Sequence, residues 1–139
     1  MTTAMQDDID KSHGKRHGVG IGRMSKALAV SLSGLRDAFR CEAAFRQEFA
    51  IGALFAVAAF VLKVTPAERA ALLASIFLVL IVELLNTALE VTLDRITLED
   101  DPSVRKAKDM GSAAVFLSLV AAGVVWLCIT GPLVYRALY

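Results

Sequence analysis

Three polar side chains inside one apolar stretch are the residues of this sequence best suited to chemistry. Glu83, Asn86 and Glu90 lie three and four positions apart, and Asp94 continues the series. At 3.6 residues per helical turn, all four side chains fall within an arc of about 80° on one helix face. An ionisable side chain costs about 2.5 to 3.5 kcal/mol at the centre of a membrane span and marks a functional site by default. The row therefore predicts a carboxylate-based site.

Further charged side chains are expected on the same side of the membrane. Glu42 and Glu48 flank the start of one apolar segment, and Lys108 and Asp109 stand at the start of another. Carboxylates beside a lysine suit a divalent cation and nucleotide phosphates, because Mg²⁺ takes oxygen ligands and usually keeps substrate phosphates. This pattern favours phosphoryl transfer at the membrane surface. The sequence has neither a P-loop motif nor the protein-kinase signatures.

Two other interpretations of the polar row remain open at this stage. The residues could hold a helix bundle together through interhelical hydrogen bonds, with Glu83 protonated. They could also form a proton or cation relay in a small transporter, which predicts polar groups across the whole depth of the membrane. The polar residues of this chain instead gather at one end of the second apolar segment.

Composition indicates that this site belongs to a membrane protein. Of 139 residues, 56% are hydrophobic and 21% charged, against about 45–50% and 25% in soluble domains. The mean hydropathy is +0.58, which disfavours an ordinary soluble enzyme. A net charge of +1 gives no overall field that would attract nucleic acid. Cys41 and Cys128 are far apart in the chain and are predicted to be free thiols.

Three membrane-spanning helices and one surface helix are predicted to position the site. A disordered polar tail covers residues 1–22, a basic amphipathic helix residues 23–41, and the spans lie at about 43–64, 66–95 and 110–135. Together, residues 23–139 make one integral-membrane domain.

Local signals set the boundaries of these spans. Thr65, Pro66 and Glu68 form a cap, a proline at the first helical position and a capping-box glutamate, so a tight turn joins the first two spans. The stretch from Leu98 to Lys108 is predicted to be a polar loop, with a second cap-and-proline start at Asp101 and Pro102. Gly131 with Pro132 is expected to break or kink the third span.

The basic residues predict the orientation of the spans. Eight of the 15 lie between Lys11 and Arg46, before or at the start of the first span, and four lie between Arg95 and Lys108, whereas the hairpin turn has two and the C-terminal end one. The positive-inside rule then places the N-terminus in the cytoplasm and the C-terminus outside.

Three segments carry a resemblance to a known family. EAAFRQE at 42–48, VELLNTALEVTLDR at 82–95 and AKDMGSAA at 107–114 resemble the bacterial integral-membrane diacylglycerol kinase family, from about Arg23 to the end of the chain. The resemblance implies an all-α homotrimer of three-span subunits in the bacterial inner membrane, with active sites between neighbouring subunits. It also implies phosphorylation of diacylglycerol to phosphatidic acid by ATP with Mg²⁺.

The resemblance also implies roles for individual residues. Glu83 would be the catalytic base, Glu42 and Glu90 the metal ligands, and Asn86 would organise the site. Residues on the nucleotide side would be Arg23, Val30, Glu42, Glu90, Glu99, Lys108 and Asp109. Residues that contact the lipid substrate would be Arg36, Ala44, Phe45, Arg46, Gln47, Glu48, Glu83 and Ser112.

The family offers two lipid substrates. A related branch phosphorylates undecaprenol, but EAAFRQE and the GSAA after AKDM are more similar to the diacylglycerol branch. Three positions depart from the enterobacterial pattern: Cys41 replaces an asparagine, Val30 a tyrosine and Leu32 a tryptophan. These changes leave the acidic residues and Lys108 intact.

Overall fold

A computed structural model describes residues 21–96 and 101–139, and this part of the chain confirms the predicted all-α class. Its four helices are α1 (Ile21–Cys41), α2 (Ala43–Val61), α3 (Pro66–Ile96) and α4 (Pro102–Leu138). The chain divides into two compact units, one ending at Arg36 and the other beginning at Asp37.

The described part of the N-terminal unit is the first portion of α1. Its apolar side chains at Met24, Leu28, Leu32 and Leu35 are exposed. The hydroxyls of Ser25 and Ser31 donate to carbonyls of the same helix. The helix begins at Ile21, so the predicted boundary at residue 23 is two residues late. The rest of the predicted tail lies outside the described residues.

The second unit contains three helices that are long and apolar enough to cross a membrane, which confirms the three predicted spans. They are Ala43–Val61, Pro66–Ile96 and Pro102–Arg136. At 1.5 Å per residue, α2 is about 28 Å long, close to the ~30 Å hydrocarbon thickness. By the same rise α3 and α4 are about 46 and 55 Å long, so both are longer than the hydrocarbon layer is thick.

One prediction about α4 is wrong, and of the break or kink predicted at Pro132 the break does not occur. The stretch predicted to be a loop to Lys108 is helical from Pro102 onward, because the Asp101 cap starts the helix eight residues before the apolar run at Met110. The helix also continues through Pro132 to Leu138 and is not broken there. A proline so close to a helix end removes one backbone hydrogen bond, and few residues beyond it depend on that bond.

The predicted caps are present. The Thr65 backbone N–H donates to Glu68 Oε2 at 2.8 Å, and the Glu68 N–H donates back to Thr65 Oγ1 at 3.3 Å, which is a complete capping box. At the start of α4 the Ser103 N–H donates to Asp101 Oδ1 at 2.7 Å. These bonds satisfy backbone donors that a helix start leaves without partners.

Helices α2 and α3 form an antiparallel hairpin. Gly52 of α2 faces Ile76 of α3 so closely that an added Cβ would lie 2.8 Å from the isoleucine Cγ2. Nearer the turn, the Arg69 guanidinium donates to the carbonyls of Ala59 at 3.0 Å and Leu62 at 3.4 Å. Arg69 therefore holds the end of α2 against the start of α3.

The buried apolar core of the second unit is small. Ala59 and Leu72 are fully buried, and Ala38, Phe45 and Val79 are nearly so, whereas most of the large apolar side chains of the spans are exposed. Such surfaces are typical of helices that face lipid or other helices. Both Cys41 and Cys128 are free thiols, as predicted.

Candidate active site

The polar row of α3 lies on one face of the helix, as its spacing predicts. Glu83 is only 5% exposed, and one turn further on Asn86 Nδ2 donates to Glu90 Oε1 at 3.1 Å. This hydrogen bond fixes one oxygen of the Glu90 carboxylate and leaves the second oxygen available to another partner. A buried acid followed by an oriented acid is an arrangement suited to proton transfer beside a bound cation.

Two carboxylates at and near the start of α2, those of Glu42 and Glu48, interact electrostatically with Glu83 of this row. Glu42 and Glu90 both act electrostatically on Glu83, and Glu83 in turn acts on Glu48. Glu48 Oε2 is buried and has no hydrogen-bond partner among the described residues. Like charges gathered in this way favour the binding of a cation or a proton donor.

Helix α4 brings a lysine and a glycine to the same end of α3. The Lys108 ammonium forms an ion pair with Asp94, the last member of the polar row. Gly111, one turn further along α4, lies directly against Asn86. Since both contacts join late positions of α3 to early positions of α4, the two helices are antiparallel here, and basic and acidic side chains share one end of the pair.

The donor set fits a magnesium ion that is shared with substrate phosphates. Glu42 precedes α2 and makes no side-chain capping hydrogen bond, so its carboxylate oxygens are not used by the helix start. Among the described residues no cluster of three or more His, Cys, Asp or Glu side chains could hold a metal ion by itself. Mg²⁺ is usually bound by one or two carboxylates, with waters and phosphates as the other ligands.

An apolar cavity of about 230 Å³ opens beside the carboxylates. It is lined by residues from all three spans: Glu48, Ile51, Gly52, Phe55, Ile76, Val79, Leu80, Leu119, Ala122, Gly123 and Trp126. Glu48 is the charged side chain of this lining, and its interaction with Glu83 places it at the cavity end nearest the polar row. A space with one polar end and an apolar body suits an amphiphile.

The other predicted lipid-side residues lie near the start of α2 or early in α4. Ala44, Gln47 and Ser112 are exposed, whereas Phe45 is only 3% exposed and packs in the core. The Arg46 guanidinium donates to the Phe39 and Arg40 carbonyls at 3.3 and 3.1 Å. It therefore caps the C-terminal end of α1, a contact that the sequence pattern did not reveal.

The predicted nucleotide-side residues are distributed over both units. Asp109 is exposed on α4, next to Lys108. Arg23, Val30 and Arg36, the last of these predicted on the lipid side, are exposed in the N-terminal unit. Glu99 lies outside the described residues. The arrangement of the second unit thus brings together Glu42, Glu48, Glu83, Glu90 and Asn86, with Lys108 paired to Asp94.

A membrane relay would need the polar row to continue through the spans. Two further buried polar side chains, Ser75 and Ser118, belong to the described core. The Ser75 hydroxyl donates to the Leu72 carbonyl at 2.7 Å and the Ser118 hydroxyl to the Val115 carbonyl at 2.7 Å. Both hydroxyls serve their own helices, so these serines do not extend the carboxylate cluster across the membrane.

Two residues of the candidate active site were not predicted from the sequence. They are Asp94, which pairs with Lys108, and Gly111, which lies against Asn86. Asp94 was placed on the correct face by its spacing, but no role was assigned to it. Gly111 lies within the AKDMGSAA segment, so the signal was a glycine inside an otherwise ordinary helical pattern, which often marks a close approach.

Comparison with known proteins shows what this chain is similar to. Residues 29–130 match the model of the family described as prokaryotic diacylglycerol kinase. A protein of Pseudomonas aeruginosa named diacylglycerol kinase is 48% identical over 107 residues, which cover 77% of this chain and 87% of the relative. The proteins of the same name from Escherichia coli K12 and Haemophilus influenzae are 46% and 38% identical over the same share of this chain, covering 88% and 91% of their own lengths.

Proposed function

This chain belongs to the prokaryotic diacylglycerol kinase family, and we propose that it is a lipid kinase that phosphorylates diacylglycerol with ATP. The free hydroxyl of diacylglycerol would attack the γ-phosphorus of ATP, and the bond from that phosphorus to the bridging oxygen would break. The products are phosphatidic acid and ADP, and the hydroxyl proton passes to a base. The convergence of four carboxylates at one end of the spans is the observation that carries this proposal.

Glu83 is the base in this scheme. Its burial at 5% exposure keeps bulk water from its carboxylate, and the hydroxyl proton would pass to that carboxylate. Glu48, whose Oε2 has no partner among the described residues, would accept a hydrogen bond from the lipid headgroup. General base catalysis of this kind contributes about 10²- to 10⁴-fold to a rate.

Glu42 and Glu90 would hold Mg²⁺ together with the phosphates of ATP. Their carboxylates act electrostatically on Glu83, and Asn86 donates a hydrogen bond to that of Glu90. When bound, the cation would neutralise negative charge on the phosphates during transfer. Lys108 and Asp109 would contact the nucleotide, with the Lys108 ammonium held in place by Asp94.

The cavity next to Glu48 would take one acyl chain of the lipid. Its lining is apolar apart from Glu48, so a chain lying in it places the glycerol hydroxyl near the carboxylates. Burial of each CH₂ group stabilises such a complex by about 0.8 kcal/mol relative to water.

The membrane arrangement follows from the same assignment. The charged ends of α3 and α4 and the basic N-terminal helix would face the cytoplasm, where ATP is available, with the C-terminus on the other side of the inner membrane. The exposed apolar side chains of α1 suit a helix on the membrane surface. The exposed faces of the spans would pack against two further copies in a homotrimer.

The decisive experiment is transfer of label from γ-labelled ATP by the purified chain in mixed micelles. Micelles containing either diacylglycerol or undecaprenol are compared with and without Mg²⁺. Metal-dependent labelling of diacylglycerol is expected. Labelling of undecaprenol alone would replace the substrate assignment, and no labelling of either lipid would overturn the kinase proposal.

A further inference from the structure

At Gly111 the backbone of α4 packs closely against Asn86 in the polar row of α3. A Cβ added at Gly111 would lie 2.2 Å from Asn86 Oδ1, 3.4 Å from Asn86 Cγ and 3.2 Å from Leu89 Cδ2. Real Cβ atoms essentially never approach an oxygen to 2.2 Å, so any larger residue at position 111 forces the Asn86 side chain to move. Glycine is therefore the residue that permits the observed Asn86 conformation.

Asn86 cannot move without changing Glu90. Its Nδ2 donates to Glu90 Oε1 at 3.1 Å, while its Oδ1 is buried with no hydrogen-bond partner among the described residues. No hydrogen bond holds Oδ1 in place there, so the fit of this oxygen against the bare Gly111 backbone determines how the amide is turned. Rotation of the amide away from Gly111 would withdraw the donor from Glu90.

We infer that Gly111 is a positioning residue, which acts through Asn86 to orient the Glu90 carboxylate toward the cation of the phosphoryl donor. This inference rests on the proposed kinase function and deepens it, because it adds a residue of α4 that touches neither substrate nor metal. Residues that orient a metal ligand typically change metal affinity or activity by about 10- to 100-fold when they are replaced.

The other glycines of α4 provide a matched control. Gly131 lies on the same helix, and an added Cβ there would meet nothing within 4 Å. Alanine is a better helix former than glycine, so Gly131→Ala should leave activity and metal dependence unchanged. A loss of activity found in Gly111→Ala but not in Gly131→Ala is then due to the contact with Asn86 and not to the replacement of a glycine by alanine in this helix.

A double-mutant cycle tests the path from Gly111 through Asn86. The full-length chain is prepared as Gly111→Ala, Asn86→Ala, the double variant and Gly131→Ala. The Mg²⁺ concentration for half-maximal diacylglycerol phosphorylation is measured at saturating ATP. Gly111→Ala is expected to raise it about tenfold or more, Asn86→Ala to raise it similarly, and the double variant to match Asn86→Ala alone. Equal effects of Gly111→Ala with and without Asn86 would overturn the inference.

A second readout does not depend on turnover. The shift in thermal unfolding midpoint on adding Mg²⁺ with the β,γ-methylene analogue of ATP reports binding. The shift should be reduced in Gly111→Ala and retained in Gly131→Ala; an undiminished shift in Gly111→Ala contradicts the inference. If Gly111→Ala fails to fold, folding of the double variant supports the contact, and failure of both opposes it.

These outcomes separate the inference from the proposed function. If the wild-type chain phosphorylates diacylglycerol and Gly111→Ala behaves as Gly131→Ala does, the kinase assignment stands and the positioning role is wrong. If the wild-type chain has no kinase activity but its metal-dependent thermal shift falls in Gly111→Ala, the kinase assignment fails while the Gly111 contact is supported.

Discussion

Replacement of Glu83 by glutamine should separate catalysis from stability. The substitution keeps the volume and hydrogen-bonding ability of the side chain, so packing around a residue that is 5% exposed is preserved. It also removes one negative charge from among the carboxylates of Glu42, Glu48 and Glu90, which act electrostatically on Glu83 or are acted on by it. Less repulsion among like charges favours the folded state.

The substitution is expected to lower turnover without lowering thermal stability. Loss of a general base lowers turnover by about 10²- to 10⁴-fold, which corresponds to about 3 to 5 kcal/mol in the activation barrier at 1.36 kcal/mol per tenfold. The thermal unfolding midpoint should stay the same or rise. If Glu83 served only to hold the helices together, the opposite pattern would be found, with a lower midpoint and nearly normal turnover.

The assay measures the rate of phosphatidic acid formation at saturating ATP, Mg²⁺ and diacylglycerol, beside thermal unfolding in the same micelles. Ser75→Ala is the control, because Ser75 is also buried on α3 but its hydroxyl serves only the Leu72 carbonyl. That variant should lose about 1 kcal/mol of stability and keep its turnover. A Glu83→Gln enzyme with more than a tenth of wild-type turnover would refute the assignment of Glu83 as the base.

Three further outcomes follow from contacts described above. Glu90→Gln should raise the Mg²⁺ concentration for half-maximal activity about tenfold or more, and an unchanged metal titration would exclude Glu90 as a ligand. Asp94→Asn should change stability by less than about 1 kcal/mol, since the ion pair of Asp94 with Lys108 is exposed. It should raise the KM for ATP, because the Lys108 ammonium loses its fixed position. A lowered KM would show instead that Asp94 competes with ATP for Lys108. Thr65→Ala should cost about 1 kcal/mol of stability through loss of the capping box without changing turnover, and a normal unfolding midpoint would contradict the cap.

The features that sequence predicted well are those set by nearby residues. The capping box at Thr65 and the cap at Asp101 depend on side chains within three positions, so their signals are complete in the sequence. The shared face of Glu83, Asn86 and Glu90 follows from helical periodicity alone. The prediction of a loop as far as Lys108 was wrong because the polar composition of this stretch was interpreted as a lack of helix. These polar residues instead form the first turns of a helix whose length exceeds the thickness of the hydrocarbon layer.

The features that sequence could not predict depend on how distant segments meet. Gly111 faces Asn86, and Lys108 faces Asp94, because of the register in which α3 packs against α4. Helical periodicity gives the face of each helix but not the axial offset between two helices. The use of Arg46 as a cap for α1 likewise depends on the direction in which the chain leaves Cys41, which no local pattern specifies.

The tight turn between α2 and α3 has a consequence for biosynthesis. Thr65, Glu68 and Arg69 hold the two helices together across a connection of four residues, Leu62 to Thr65, which is too short to let one helix enter a bilayer while the other stays behind. The pair must therefore enter the membrane as a single insertion unit, and both spans acquire their orientation in one step. Any change that inverted α2 would invert α3 with it and carry the whole acidic cluster to the opposite compartment.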